Sequence, residues 1–416
     1  MQGTLNFFAA LNVIIFRGLD SIGPGLMYFV YFAPFMLAYL TWQFYLLYIR
    51  ARYIHQEARV LLEIRLPKEV TKSPKAMELF LEVLDQGYEG EYVDRFIMGS
   101  IRGWFSLELV SNGGQIHFYF NIPKFFQNIV EARLYSQYPE VEISLVSEDY
   151  TKEVTYGQPG SPWDIKIWEY ELDKDDAYPI KTYIDYEMDK DPKEEFKIEP
   201  MTPLLEFLAS IKPTEKIWVQ IMVMAAKKRF PMVGKKGKTE LVTWKKKGAK
   251  LVEDLAKRNL DAKDMMSAWT KTVLTNTERD VITSIQRNLG KIGFDVGIRT
   301  VYSATEGIKP NVGVGLNSAL KQFGSDNLNA FKAKHRTGFD NPWQDPFGWR
   351  TRERKLSHFQ YYCNRSYFYP PASKKPIGLT TEELATIYHF PGSVATTPTL
   401  GRIPSKRGEP PENLPI

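Results

Sequence analysis

Residues 104–120, WFSLELVSNGGQIHFYF, contain two runs of alternating side chains separated by Asn112-Gly113-Gly114. Alternation with a period of two is the pattern of a half-buried β-strand. Asparagine and glycine adopt positive φ at little cost, so the central tripeptide favours a tight reversal. The stretch therefore predicts an antiparallel hairpin, and the segments around it are interpreted from this starting point.

The segments on both sides of the hairpin complete one layered module. Before it, residues 60–66 alternate like a strand, and a helix is expected from Ser73-Pro74, where serine is a suitable N-cap and proline suits the first helical position. After it, Pro123 opens a second helix and residues 141–145 form a closing strand. The order β-α-β-β-α-β predicts a ferredoxin-like (split β-α-β) domain.

A weaker repeat of this pattern follows later in the chain. Residues 217–224 and 294–302 have the character of strands, and helices are predicted between them over residues 249–271 and 277–289. We therefore expect a second, elaborated α+β layered domain.

The N-terminal segment has the composition of a membrane anchor. No charged side chain occurs between Ser21 and Ile49. The apolar run over about residues 25–49 suffices for a hydrocarbon core about 30 Å thick. A soluble core helix is the alternative, and a cleaved signal peptide is disfavoured because the run is too long and lacks a cleavage site.

The basic residues that flank this run predict its orientation. Arg50, Arg52 and Arg59 follow the run, whereas Arg17 alone precedes it. The excess of positive charge after the span predicts a single-pass protein of the cell membrane with its C-terminal body in the cytoplasm. A shorter apolar stretch at residues 5–16 is expected to form an interfacial helix, with a re-entrant hairpin as the alternative.

These patterns predict an α+β fold class, with an N-terminal transmembrane helix followed by ferredoxin-like layered domains. The predicted segments are a membrane anchor (1–54), a ferredoxin-like domain (55–150), an acidic connector (151–212), a second α+β domain with a basic loop (213–375) and a proline-rich C-terminal tail (376–416).

Charge is distributed unevenly, although the net charge is only +5. Residues 140–200 contain 18 acidic and 7 basic side chains, whereas residues 227–258 contain 12 basic and 3 acidic ones. The two tracts can neutralise each other across a domain or subunit contact. Alternatively, the basic tract binds nucleic-acid phosphates or anionic lipid. The candidate lysines are Lys235, Lys236, Lys238, Lys245, Lys246 and Lys247.

A second candidate surface lies in residues 331–369, where basic and aromatic side chains alternate closely. Single-stranded nucleic acid is bound by such combinations, because every base can stack on an aromatic or guanidinium plane. An aromatic loop packed on the body is the alternative. The candidate residues are Trp349, Arg350, Arg352 and Arg354.

Motifs for catalysis and metal binding are missing from the sequence. The string Gly234 to Thr239 resembles a phosphate-binding loop, but Met232 stands where the first glycine is needed. The histidines are scattered, and Cys363 is the only cysteine. We therefore expect no catalytic, cofactor-binding or metal-binding residues, no cofactor and no enzymatic activity.

Three runs carry a resemblance to a known class of proteins. They are LLEIRLPKEV at residues 61–70 with Ser73-Pro74, ARLYSQYP at residues 132–139, and residues 383–392 with TTPT at residues 396–399. They resemble the N-terminal, non-motor region of membrane-anchored conjugation or type IV secretion-like ATPases of the HerA and FtsK class. The likeness covers most of residues 55–416.

In that class, the region precedes a P-loop motor that moves DNA, whereas this chain stops at Ile416, where the motor would begin. The resemblance therefore implies a non-enzymatic membrane component of a DNA-transfer or secretion-like assembly. Its expected partners are membrane lipid, further copies of itself or a separately encoded ATPase, and DNA. The alternatives are a membrane-bound scaffold unrelated to DNA and a membrane-bound enzyme with an unrecognised site.

Overall fold

The computed structural model describes residues 32–67, 70, 72–189, 198–233, 239–257, 275–335, 337–339, 341–392 and 402–403. The chain forms two compact units. The smaller unit combines Met1–Gln56 with Glu89–Ile101, and the larger one combines Glu57–Tyr88 with Arg102–Ile416. The stretch at residues 5–16, for which an interfacial helix is predicted, lies outside the described residues.

The smaller unit is built on one long helix, α1 (Phe32–Gln56). Within the described residues, α1 is the one helix that is long and apolar enough to cross a membrane. It ends beyond the predicted end of the span at Ile49, because the polar residues from Arg50 to Gln56 continue the helix without extending its apolar run. The second segment of this unit contains a short π-helical turn, Asp94–Met98.

The hairpin predicted in the larger unit is confirmed. Asn112 pairs with Gln115 at its closed end, and Gly113 and Gly114 have positive φ angles of 59° and 90°. Glycine is required at Gly114, because a Cβ there would lie 2.7 Å from the carbonyl oxygen of Ala209.

The first half of the larger unit has the predicted order strand, helix, strand, strand, helix, strand. These strands pair antiparallel throughout, in the spatial order β4-β1-β3-β2. The elements are β1 (Arg59–Pro67), α2 (Pro74–Leu81), β2 (Phe105–Asn112), β3 (Gln115–Pro123), α3 (Gln127–Gln137) and β4 (Glu142–Leu145).

The second half repeats this order with one large insertion. Its strands pair antiparallel as β10-β5-β9-β6, and β7, β8, α5 and α6 are inserted between β6 and β9, where the first half has a short turn. In chain order the elements are β5 (Asp164–Leu172), α4 (Thr202–Ala209), β6 (Glu215–Ala225), β7 (Phe230–Val233), β8 (Thr239–Val242), α5 (Trp244–Lys257), α6 (Asn276–Gly290), β9 (Gly293–Ala304), α7 (Pro310–Lys321) and β10 (Phe331–His335).

The two halves share one continuous sheet. β2 pairs antiparallel with β6, in a register that places Glu108 opposite Gln220. The halves therefore meet at β2 and β6, which are the second strand of each half. Outward from this junction, corresponding strands follow in the same order on both sides: β3, β1 and β4 on one side, and β9, β5 and β10 on the other. The elements that follow are α8 (Trp349–Cys363), β11 (Ile377–Thr380), α9 (Thr381–Ile387) and β12 (Arg402–Ile403); β11 pairs with β9, and β12 with β1.

Each face of the sheet has its own core. Alternate strand residues such as Leu107 and Val219 pack with apolar side chains of α2, α3, α4, α7 and α9. On the opposite face, Phe359 and Tyr362 of α8 pack against Trp218 of β6.

The structure differs from the predicted segments in two places. Residues 151–212, the predicted acidic connector, contain β5, whose Ile165 and Ile167 are buried on one face although acidic residues surround them in sequence. Residues 376–416, the predicted tail, contain β11 and α9, which are buried along their whole length. In both segments, the polar composition predicts a connector or a tail. The structure instead has a strand or helix there, buried by contacts with residues distant in sequence.

Candidate functional site

Of the three candidate lysines of the basic tract that the structure describes, two are engaged within the protein. Lys245 donates a hydrogen bond to the carbonyl oxygen of Lys291, and burial lowers the pKa of its ammonium group. Lys247 forms an ion pair with Asp175 of the acidic tract, whereas Lys246 is exposed. The remaining candidates, Lys235, Lys236 and Lys238, lie outside the described residues.

A second contact joins the acidic and basic tracts. Arg229 lies 3.5 Å from Asp176 and 2.8 Å from Asp295 of β9. Burial raises the pKa of Asp295 to about 6, although Arg229 opposes this shift. For the described residues, the geometry therefore favours mutual neutralisation of the two tracts over a free phosphate-binding loop.

The candidate residues at the start of α8 are different, because they face solvent. Arg350, Arg352 and Arg354 are exposed. The aromatic residues beside them are also exposed, by 75% for Trp343, 86% for Phe347 and 61% for Trp349. We call these six residues the Arg–aromatic surface; exposed aromatic side chains at this density are typical of binding sites.

Local contacts hold this surface in a defined conformation. The guanidinium carbon of Arg354 lies 3.8 Å from the ring centre of Phe339, and that of Arg350 lies 5.1 Å from the same ring. The Asp345 carboxylate accepts hydrogen bonds from the backbone N–H groups of Arg350, at 3.3 Å, and Thr351, at 2.6 Å. Although desolvation opposes the shift, these bonds lower the pKa of Asp345, so its negative charge is favoured at the start of α8.

The other end of α8 is fixed to the sheet by a buried ion pair. Arg365 donates from Nε to Oε1 of Glu108 and from Nη2 to Oε2, both at 3.0 Å. Asp149 also pairs with Arg365, and the Tyr150 hydroxyl donates to Glu108 at 2.8 Å. Burial would raise the pKa of Glu108, but Arg365 and these hydrogen bonds hold it below its usual value.

A second buried arginine completes this connection. Arg299 of β9 donates to the Gln220 side chain at 2.7 Å and to the carbonyl oxygens of Tyr361, at 2.8 Å, and Ser366, at 3.0 Å. The Gln220 amide donates to Glu108 at 2.7 Å. Both halves of the sheet thus hold the C-terminal end of α8 through side-chain hydrogen bonds.

A cluster of buried carboxylates occupies the other side of the molecule, around the start of α9. Lys291 lies 2.7 Å from Glu78 and 3.8 Å from Glu382. Glu383 accepts hydrogen bonds from the N–H groups of Thr380 and Ile180, at 2.8 and 3.0 Å. Burial raises the pKa of Glu383 to about 7. Glu382 and Glu383 belong to α9, whereas Glu78, Ile180 and Lys291 lie outside it. These contacts therefore connect α9 to the rest of the larger unit.

Within the described residues, no group of three or more His, Cys, Asp or Glu side chains is arranged to hold a metal ion. Sequence reasoning missed Phe339, the Glu108–Arg365 pair and the carboxylate cluster. A signal existed for Phe339, which lies within the basic and aromatic segment. The partners Glu108 and Arg365 are 257 positions apart, so no local pattern connects them.

Comparison with known proteins identifies one family. The family model described as "Domain of unknown function (DUF8128)" matches residues 52–401. No curated protein matches the chain.

Proposed function

Since the chain belongs to the DUF8128 family, whose function is unknown, we propose its function from its own surfaces. The protein is a non-enzymatic, membrane-anchored docking component of a DNA-transfer or secretion-like assembly. Its Arg–aromatic surface binds single-stranded DNA. The observation that carries this proposal is the exposure of three aromatic and three arginine side chains in the first turns of α8 and in the segment directly before it.

The chemistry of this surface suits a single strand. The faces of Trp343, Phe347 and Trp349 are available for base stacking, and each stacked base contributes on the order of 1–3 kcal/mol. The arginines supply guanidinium groups for phosphate oxygens. Because α8 is fixed at its buried end, little conformational entropy is lost when the surface binds.

The anchor is α1, a single membrane span in this proposal. Its side chains support that role, since Phe35 is 76% and Phe44 is 68% exposed, whereas a soluble core helix would bury them. The arginines that follow, Arg50 and Arg52, favour a cytoplasmic body by the positive-inside rule. The body would then lie where DNA and a separately encoded ATPase are accessible.

We also propose that each half of the sheet is a ferredoxin-like unit and that the body arose by fusion of two such units. The antiparallel orders β4-β1-β3-β2 and β10-β5-β9-β6 support this interpretation. So do the helices between corresponding strands, α2 and α3 in one half and α4 and α7 in the other.

Binding of a labelled oligothymidine to the full chain in zwitterionic nanodiscs, measured across a salt series, tests this function. Replacing the three arginines together with alanine (R350A/R352A/R354A) should weaken binding at low salt. The plot of log K against log salt should also become less steep, by about 2 in the magnitude of its negative slope, because each lost phosphate contact removes roughly 0.7. The matched control replaces three exposed lysines outside both candidate surfaces, Lys75, Lys124 and Lys321, with alanine and should leave the slope unchanged.

Equal loss in the two triple variants would indicate general charge attraction and would contradict a specific surface. Absence of binding by the parent protein at low salt would exclude the DNA-binding role. A protein partner would then be the better candidate, because exposed tryptophan and arginine side chains also dominate protein–protein hot spots.

A further inference from the structure

The segment Glu89–Ile101 folds onto α1 within the smaller unit. The ring of Phe96 stacks on Trp42 of α1, with centroids 6.1 Å apart, and contacts Tyr92 at 4.5 Å. Gly99 has a φ of +77°, and a Cβ at this position would lie 2.4 Å from the carbonyl oxygen of Ile49. Glycine therefore permits the segment to approach the helix backbone.

The segment follows α1 over a measurable depth. Gly99 lies at the level of Ile49, and Phe96 lies at the level of Trp42, seven residues earlier on the helix. At about 1.5 Å per residue, these levels are roughly 10 Å apart along the helix axis. With the span predicted to end at Ile49, the turn Asp94–Met98 would enter the membrane from its cytoplasmic interface.

Around this turn, large apolar side chains are exposed. The exposed fractions are 75% for Tyr92, 52% for Val93, 63% for Ile97 and 64% for Met98. These side chains adjoin the exposed apolar surface of α1 through the contact between Phe96 and Trp42, which is 44% exposed. An apolar surface that continues the surface of a membrane helix is suited to lipid.

The polar groups of the segment are compatible with the headgroup boundary. The N–H of Arg95 donates to the carbonyl oxygen of Glu91 at 3.0 Å, and that of Ser100 donates to Asp94 at 2.8 Å. The Asp94 carboxylate accepts from the N–H of Glu91 at 2.9 Å. These internal bonds reduce the cost of transferring the backbone out of water.

We propose that residues 92–98 form a second membrane contact, which inserts Tyr92, Val93, Ile97 and Met98 into the boundary between lipid headgroups and acyl chains. This inference rests on the proposed role of α1 as the membrane anchor. The chain passes between the two units three times, after Gln56, after Tyr88 and after Ile101, so this contact would place a second segment of the smaller unit at the bilayer beside α1.

Site-specific fluorescence tests this contact. In a C363A background, which removes the native cysteine, single cysteines are introduced by L40C in α1, I97C in the segment and E140C in the body, and each is labelled with an environment-sensitive dye. The full chain is then placed in vesicles of phosphatidylcholine with or without brominated acyl chains. Leu40, Ile97 and Glu140 are exposed, so the labels displace no buried side chain.

The inference predicts strong quenching by brominated lipid at positions 40 and 97, several-fold above the value at position 140. Quenching at position 40 with none at position 97 would overturn the second contact and leave the anchor intact. Quenching at neither position would contradict both the anchor and the inference. A further variant, I97E/M98E in the V93C label background, should reduce quenching at position 93 while quenching at position 40 is retained.

Discussion

Arg365 and Glu108 form a two-point ion pair with both side chains buried, at N–O distances of 3.0 Å. Arg365 follows α8, whereas Glu108 lies in β2 at the junction of the two sheet halves. The pair therefore couples the exposed Arg–aromatic surface to the centre of the fold.

Removing one member of this pair should strongly destabilise the protein. In R365M, the charge of Glu108 would stay buried without its main partner, and we expect a loss of about 3–5 kcal/mol in the free energy of unfolding. Denaturant unfolding of the full chain in detergent micelles would measure it. The double variant E108Q/R365M should recover part of the loss, and the exposed control R352A should lose less than about 0.5 kcal/mol. A stability of R365M equal to that of the parent would show that the pair contributes nothing.

The buried carboxyl of Glu383 should make stability depend on pH. Its pKa is about 7 in the folded protein, above the ordinary glutamate value of 4.5, so between these two pH values the folded state binds a proton that the unfolded state does not. The free energy of unfolding contributed by this group is then fully present below about pH 4.5 and is lost as the pH rises to about 7. In the variant E383Q, which mimics the protonated form, this pH-dependent loss of stability, on the order of 3 kcal/mol, should be absent.

The measurement compares the parent and E383Q by denaturant unfolding at several pH values from 4.5 to 8. Glu306, which is not buried, provides the control variant E306Q, whose profile should follow that of the parent. Parallel profiles for the parent and E383Q would contradict the assignment.

The thiol of Cys363 should react slowly in the folded protein. Burial raises its pKa to about 11 from the ordinary cysteine value of 9.0, so the thiolate fraction at pH 8 falls roughly 100-fold. Timed alkylation in the native state and in denaturant would measure the difference. Similar rates in both states would show that the end of α8 opens readily.

Gly99 should be the most sensitive glycine of the segment that folds onto α1. In G99A, the added Cβ would clash with the Ile49 carbonyl oxygen, and the positive φ would be strained. We expect the segment to detach and trypsin to cleave faster after Arg95. The control G87A should leave the cleavage rate unchanged, because nothing lies within 4 Å of a Cβ at Gly87. Equal rates for G99A and the parent would contradict the tight approach to α1.

Local patterns were sufficient for the first half of the sheet. The alternation in β1, β2 and β3 and the glycines of the hairpin turn are properties of adjacent residues, so periodicity and turn chemistry predict them. The N-cap serine and first-turn proline of α2 are of the same kind. The arginines and Trp349 of α8 were identified because basic and aromatic residues are dense in that part of the sequence.

Long-range pairing determined the rest. β5 contains Glu169 and Glu171 and resembles a charged connector, but Glu169 is buried and lies 3.5 Å from Lys374. Glu382 and Glu383 at the start of α9 are buried by elements that are distant in sequence. The Ile180 N–H, which donates to Glu383, is 203 positions away along the chain. Tertiary contacts likewise determine that the arginines of α8 are exposed to solvent and that Lys247 pairs with Asp175.

The central claim, that the Arg–aromatic surface binds single-stranded DNA, is tested most directly by crosslinking. A thiothymidine oligonucleotide is irradiated with the full chain in nanodiscs, and the crosslinked peptides are identified by mass spectrometry. If this surface binds the strand, crosslinks should form at Trp343, Phe347 or Trp349 and should disappear in R350A/R352A/R354A. Crosslinks confined to the lysines of α5, or none at all under low salt, would contradict it.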